Sequence, residues 1–149
     1  LSDFEERSLS PFASSRAVFA ALAAAATLAA VPANAASTVS VELNRLEAKD
    51  NSCQISIVVA NSADKAMDSL KLDLVFFDKD GVISRRLAVE AGPVRASKTS
   101  VKLFNAAETK CDSIGRVLLN DVTACGGGEQ DCLAAVSTAS RVKDVEFAK

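Results

Sequence analysis

"LKLDLVFFDKDGVISRRLAVE", Leu70 to Glu90, is the stretch whose reading decides the fold. Its first half alternates Leu70, Leu72, Leu74 and Phe76 against Lys71 and Asp73, the period-two pattern of a strand with one buried face. Its last part, Val82–Glu90, reads as a second strand. Between them, "DKDG" has the acidic spacing of a calcium loop and also the composition of a tight turn. Aligning Gly81 with the sixth position of a calcium loop puts Phe76 at the first and Leu87 at the twelfth. Neither side chain binds a hard cation. Asp and Gly are favoured in hairpin turns, where Gly accepts a positive φ. The stretch is therefore expected to be a β-hairpin, with no metal bound in its turn.

The same alternation continues on both sides. Val39–Leu46, Cys53–Asn61, Thr99–Phe104, Gly115–Ala124 and Arg141–Phe147 each read as strands, making seven with the two in the hairpin. Turn-rich pieces separate them: "NSADKAMD", "AGPVRASK" and "CGGGEQDC". Only "EQDCLAAVSTAS" (Glu129–Ser140) competes with strand, since Leu133 and Val136 stand three apart and permit a helical turn or two. Short strands with turn signals at close intervals and no long helix imply an all-β fold, an antiparallel β-sandwich.

Val58–Phe104 resembles the FxLYD-type bacterial Ig-like domains. Asn61 ends a strand, "LVFFD" (Leu74–Asp78) ends the next on aromatic-Asp, Gly81 sits in the turn and "AGPVRASKTS" makes the corner. Leu74 and Phe77 stand where the name-giving pattern has Phe and Tyr, and "PVRAS" replaces the usual Pro-Gly. The whole chain is also similar to short exported proteobacterial proteins. Both resemblances imply an Ig-like sandwich and an extracytoplasmic compartment, and neither implies a reaction.

The N-terminal segment points to the same compartment. "AVFAALAAAATLAAV" (Ala17–Val31) follows Arg16 and precedes "PANA", whose Ala33 and Ala35 occupy the small-residue positions of a signal-peptidase site. The run is too short and too Ala-rich for a membrane span, which needs about 20 strongly apolar residues. Residues 1–35 are thus expected to be a cleaved signal peptide and 36–149 a single domain, periplasmic or secreted. No Cys follows the run, so no membrane anchor is expected after cleavage.

All four cysteines, Cys53, Cys111, Cys125 and Cys132, fall in the expected mature part, and an even count in an exported chain reads as disulfides. Three pairings are possible. The three glycines of "CGGGEQDC" favour Cys125–Cys132, leaving Cys53–Cys111. Zinc is disfavoured because no close C-x₂₋₄-C pair and no His is present, and no C-x-x-C suggests redox work.

Composition narrows function further. Removing the leader's two basic and three acidic residues from totals of 17 and 19 leaves a net charge of −1, which argues against nucleic acid or an anionic membrane as partner. Without His, Trp or Tyr, the usual general base and sugar platforms are missing, so an enzyme is not expected and no cofactor is implied. Two features remain as site candidates. The outward face of Leu70–Asp78 turns apolar at Val75 and Phe77, a candidate partner patch. Simple alternation also carries Arg85 inward beside Arg86. This calls for a bulge, for an ion pair with Asp73 or Asp121, or for an anion site. The expected function is a non-enzymatic interaction module of the cell envelope, with an envelope protein as partner. A small-ligand or anion binder using Arg85 and Arg86 is the alternative.

Overall fold

The computed structural model describes residues 37–126 and 131–149. The signal-peptide reading of residues 1–35, with Ala33 and Ala35, lies outside the described residues. Eight strands follow in chain order: β1 (Val39–Lys49), β2 (Ser52–Asn61), β3 (Lys71–Asp78), β4 (Ile83–Glu90), β5 (Lys98–Ala107), β6 (Ile114–Ala124), β7 (Val136–Ser140) and β8 (Glu146–Ala148). They form two four-stranded sheets, ordered β5-β2-β1-β7 and β4-β3-β6-β8.

The alternating residues face each other between the sheets. Val39, Val41 and Leu43 of β1 and Ile55, Ile57 and Val59 of β2 are buried against Leu72, Leu74 and Phe76 of β3 and Val117 and Leu119 of β6. Burying a Val, Leu, Ile or Phe side chain contributes roughly 1.5–3 kcal/mol, so this one shared core supplies most of the driving force for the sandwich.

The expected all-β sandwich is present, with two differences from the antiparallel seven-strand reading. Glu129–Ser140, where it is described, makes the one turn its spacing permits and then adds an eighth strand. Asp131–Ala135 makes one turn, closed by the Ala135 N–H donating to the Asp131 carbonyl at 3.1 Å, and β7 then runs on from Val136. Arg141–Phe147 is a strand only at its end, because a turn closes from Val142 to Val145 before β8 begins. Both late strands pair parallel to their neighbours, β7 with β1 and β8 with β6. Their side chains Val136 and Phe147 close the core on that side.

Both disulfides have the expected pairing, Cys53–Cys111 and Cys125–Cys132. Cys53 is fully buried on the inner face of β2, and its bond ties in the short 3₁₀ turn Cys111–Ser113 that leads into β6.

Candidate interaction surface

The "DKDG" stretch is a turn in the structure. The Asp78 carboxylate accepts the backbone N–H groups of Asp80 (3.0 Å) and Val82 (2.9 Å), while Gly81 takes a φ of +80°. That carboxylate therefore holds its own loop, as an Asx turn does. Among the described residues no group of three or more His, Cys, Asp or Glu side chains stands close enough to hold a metal ion.

The outer face of β3 carries an ion pair. Arg86 on β4 donates to both oxygens of Asp73, Nε at 2.7 Å and Nη2 at 2.6 Å, and the Asn120 side-chain amide donates to the second oxygen at 2.7 Å. Asp73 is buried while the Arg86 guanidinium is largely exposed. The Arg86 hydrogen bonds hold the Asp73 carboxyl below its ordinary value, and Asp73 in turn raises the Arg86 guanidinium. Asn120 reaches Asp73 because the β3–β6 ladder shifts register between Asp73 and Leu74.

Arg85 and Asp121 are not members of this cluster. A bulge at Ser84 lets Phe76 pair with Arg85 and Phe77 with Ile83. It is Ile83 that moves to the outer face and becomes exposed, not Arg85. Arg85 stays on the inner side of the edge strand β4 and comes within 3.6 Å of the Glu108 carboxylate. Asp121 turns its carboxylate to the Val122 N–H at 2.8 Å.

The expected exposed pair Val75–Phe77 is not an open patch. Val75 is buried, with Arg86 and Leu118 as its cross-strand neighbours. Phe77 is half-buried, and the Arg116 guanidinium lies 4.3 Å above its ring. Cross-strand neighbours on β4 and β6 cover what a single strand's alternation leaves bare.

The exposed large apolar side chains stand in two places, Val82 and Ile83 beside the hairpin turn and Val101 and Leu103 on β5. Val101 and Leu103 are 63% and 61% exposed. They stand opposite Val58 and Ser56 of β2, on the sheet's outer face, while Lys102 and Phe104 stand opposite the buried Ile57 and Ile55. β5 ends its sheet and pairs along its whole length with β2 without a bulge. The Glu108 N–H donates to the Asn51 carbonyl at 2.8 Å, continuing that ladder and fixing its phase. In an antiparallel ladder alternate residues point their backbone groups at the partner. On this phase Val101 and Leu103 direct both their side chains and their N–H and C=O groups to solvent, the side chains from the face and the backbone from the edge.

The other sheet ends are guarded. β4 has the Ser84 bulge and two arginines, and β7 and β8 are only five and three residues long. Short strands, bulges and charges are the usual means of blocking an edge. On β5 the charged residues are Lys98 at its first position and Lys102 along it, whose ammonium is turned along the open side to the Gly92 carbonyl at 3.4 Å.

Two polar side chains, the buried Asn61 and the exposed Glu90, hold the loops that lead into β3 and β5. Asn61, at the end of β2, donates to the Lys65 and Arg95 carbonyls and accepts the Ala63 N–H at 3.0 Å, joining the loops before β3 and before β5. Glu90, at the end of β4, accepts the N–H groups of Leu70 (2.8 Å) and Gly92 (2.9 Å). Those bonds, Leu70's first, hold the Glu90 carboxyl below its ordinary value.

No family model matches the chain, and no curated protein does. Among solved structures, that of IrmA from Escherichia coli is similar, with a TM-score of 0.55 at 15% identity over 67% of this chain and 89% of that one. At that identity the likeness concerns the fold alone, and it agrees with the sandwich described above.

Proposed function

We propose that this protein is an exported, non-enzymatic interaction module of the cell envelope that takes its partner by strand addition on the β5 edge. The observation that carries the reading is the unbulged ten-residue edge strand with Val101 and Leu103 exposed on it. An added strand gains main-chain hydrogen bonds from the edge, and its side chains cover the apolar pair. Two disulfides fit an oxidising compartment. The FxLYD-type resemblance of Val58–Phe104 belongs to this reading too, since such domains are sandwiches that present sheet edges. The arginine-centred alternative has less behind it, because Asp73 and Glu108 already face Arg86 and Arg85.

The test is photo-crosslinking in cells, with a benzophenone side chain placed at Leu103 or, as a control on the outer face of the other sheet, at Ala88. A discrete adduct at Leu103 that is absent at Ala88, and is lost when Val101 is also changed to Lys, is the expected result. Equal adducts at both positions, or none at Leu103, defeat the edge reading. Turnover of a substrate by the purified protein defeats the non-enzymatic one.

A further inference from the structure

We propose that the strand added to β5 is the β5 strand of a second copy of this chain, paired antiparallel about a two-fold axis at Leu103; this rests on the edge reading above. A two-fold axis through a sheet edge sets a strand against itself in antiparallel sense, so residue i faces the residue the same distance beyond the axis. Thr99, Val101, Leu103, Asn105 and Ala107 point their backbone groups outward, so an axis at Leu103 meets like with like. Leu103 faces Leu103, Val101 faces Asn105, and Thr99 faces Ala107, each as a hydrogen-bonded pair.

Charge favours this register over the two adjacent ones. With the axis at Leu103, Lys98 at one end of β5 faces Glu108 of the other copy, and the symmetry makes that contact twice. Lys102 faces Phe104. Moving the axis to Lys102 sets that ammonium against its own copy, and moving it to Phe104 sets Lys98 against Lys110. Opposite charges across a strand pair favour it, and like charges directly opposed disfavour it. Lys98 and Glu108 are both exposed, and the contact of Glu108 with Arg85 holds its carboxylate on the open side between β4 and β5.

The outer face around the junction contains nothing to repel a copy. From Thr99 to Ala107 on β5, and from Gln54 to Ala60 on β2, the outward positions carry no charge, in a chain of which 24% is charged. Pairing therefore joins two sheets into one eight-stranded sheet, with Val101 and Leu103 of both copies in a continuous uncharged strip.

Sedimentation of the purified mature domain, with two charge-reversal variants, tests the register. The unaltered domain is expected to dimerise. Lys98→Glu alone sets two carboxylates against each other at both ends of the junction, and Glu108→Lys alone sets two ammonium groups against each other there. Each variant is therefore expected to dimerise roughly tenfold or more weakly. In an equimolar mixture of the two, a mixed dimer sets a carboxylate against an ammonium group at both ends, so mixing is expected to restore dimerisation through the mixed pair, and a mixture that stays as weak as its components overturns the register. The double variant Lys98→Glu/Glu108→Lys exchanges the two charges and restores both opposite-charge contacts, so it is expected to dimerise about as tightly as the original. Thermal melts of each variant check that all are folded.

An unaltered domain that stays monomeric overturns the proposal, as does either single variant dimerising as well as the original, or a double variant that recovers nothing. The Leu103 crosslink separates the two levels of failure. A monomer whose Leu103 captures a chain of another mass leaves the edge reading standing and removes self-pairing. A monomer whose Leu103 captures nothing removes both.

Discussion

The two disulfides close loops of very different length, and that difference is measurable. Cys53 and Cys111 are 58 residues apart, Cys125 and Cys132 only 7. If a cross-link acts mainly by limiting the unfolded chain, loop-closure entropy gives about 4 kcal/mol for the first and about 2 kcal/mol for the second at room temperature. Replacing Cys53 also removes a fully buried sulfur opposite Ala106, which adds a cavity cost to the first. A domain of this size has about 5–15 kcal/mol of stability in all. Urea titrations of Cys53→Ala/Cys111→Ala and Cys125→Ala/Cys132→Ala are therefore expected to differ sharply. The short-loop variant should unfold cooperatively about 1–2 M earlier than the original, and the long-loop variant should sit at the margin of folding. Free energies, not midpoints, are the quantity to compare, because removing a cross-link also expands the unfolded chain and steepens the transition. Equal losses, or a larger loss for the short loop, refute the reasoning. That result would mean the unfolded chain already keeps Cys53 and Cys111 close without a bond.

Two further changes probe the parts of the fold that hold the hairpin and the outer face. A Cβ added at Gly115 would lie 2.6 Å from the Asp78 carbonyl oxygen and 2.9 Å from Lys79 Cα, so β6 passes against the backbone of the "DKDG" turn. Gly115→Ala is expected to cost about 1–3 kcal/mol, seen as a lower melting temperature, and an unchanged melt would show that the turn moves aside freely. Asp73→Asn keeps the shape and removes the charge held by Arg86 and Asn120. It is expected to cost on the order of 1 kcal/mol at neutral pH, discounted because Arg86 is largely exposed. Asp73 has a folded-state carboxyl lowered from 3.8 by its Arg86 bonds, so its contribution is complete above that value and disappears as pH falls through the lower, folded one. The gap between the two proteins in urea titrations should accordingly close below about pH 4, and a constant gap down to strong acid would exclude the ion pair as its source.

Local pattern is legible wherever one residue decides one contact. The Asp78–Gly81 turn follows from Asp and Gly chemistry, and the short cysteine loop from its glycines. The inner faces of β2 and β3, and of β1 as far as Leu43, follow from alternation against a shared core. The outer faces are not legible, because they depend on which strand lies alongside. Val75 looks bare on its own strand and is covered by Arg86 and Leu118 from two neighbours. Arg85 looks like the residue in need of a bulge, yet the bulge at Ser84 displaces Ile83 and leaves Arg85 to Glu108.

β5 is the instructive case, since its sequence points the wrong way. In "TSVKLF" the apolar Val101 and Leu103 alternate with Ser100 and Lys102, so the strand taken alone puts Val101 and Leu103 in the core. The structure does the reverse. Ala106 lies opposite Cys53 and Phe104 opposite Ile55, and Cys53 is bonded to Cys111 just beyond the strand's end. Slipping the ladder by one residue would carry Ala106 and Phe104 off the core face together. The disulfide and two packed side chains thus outweigh the preference of Val101 and Leu103 for burial inside this chain. A strand held in that phase at a sheet edge satisfies its apolar residues only when something else covers them.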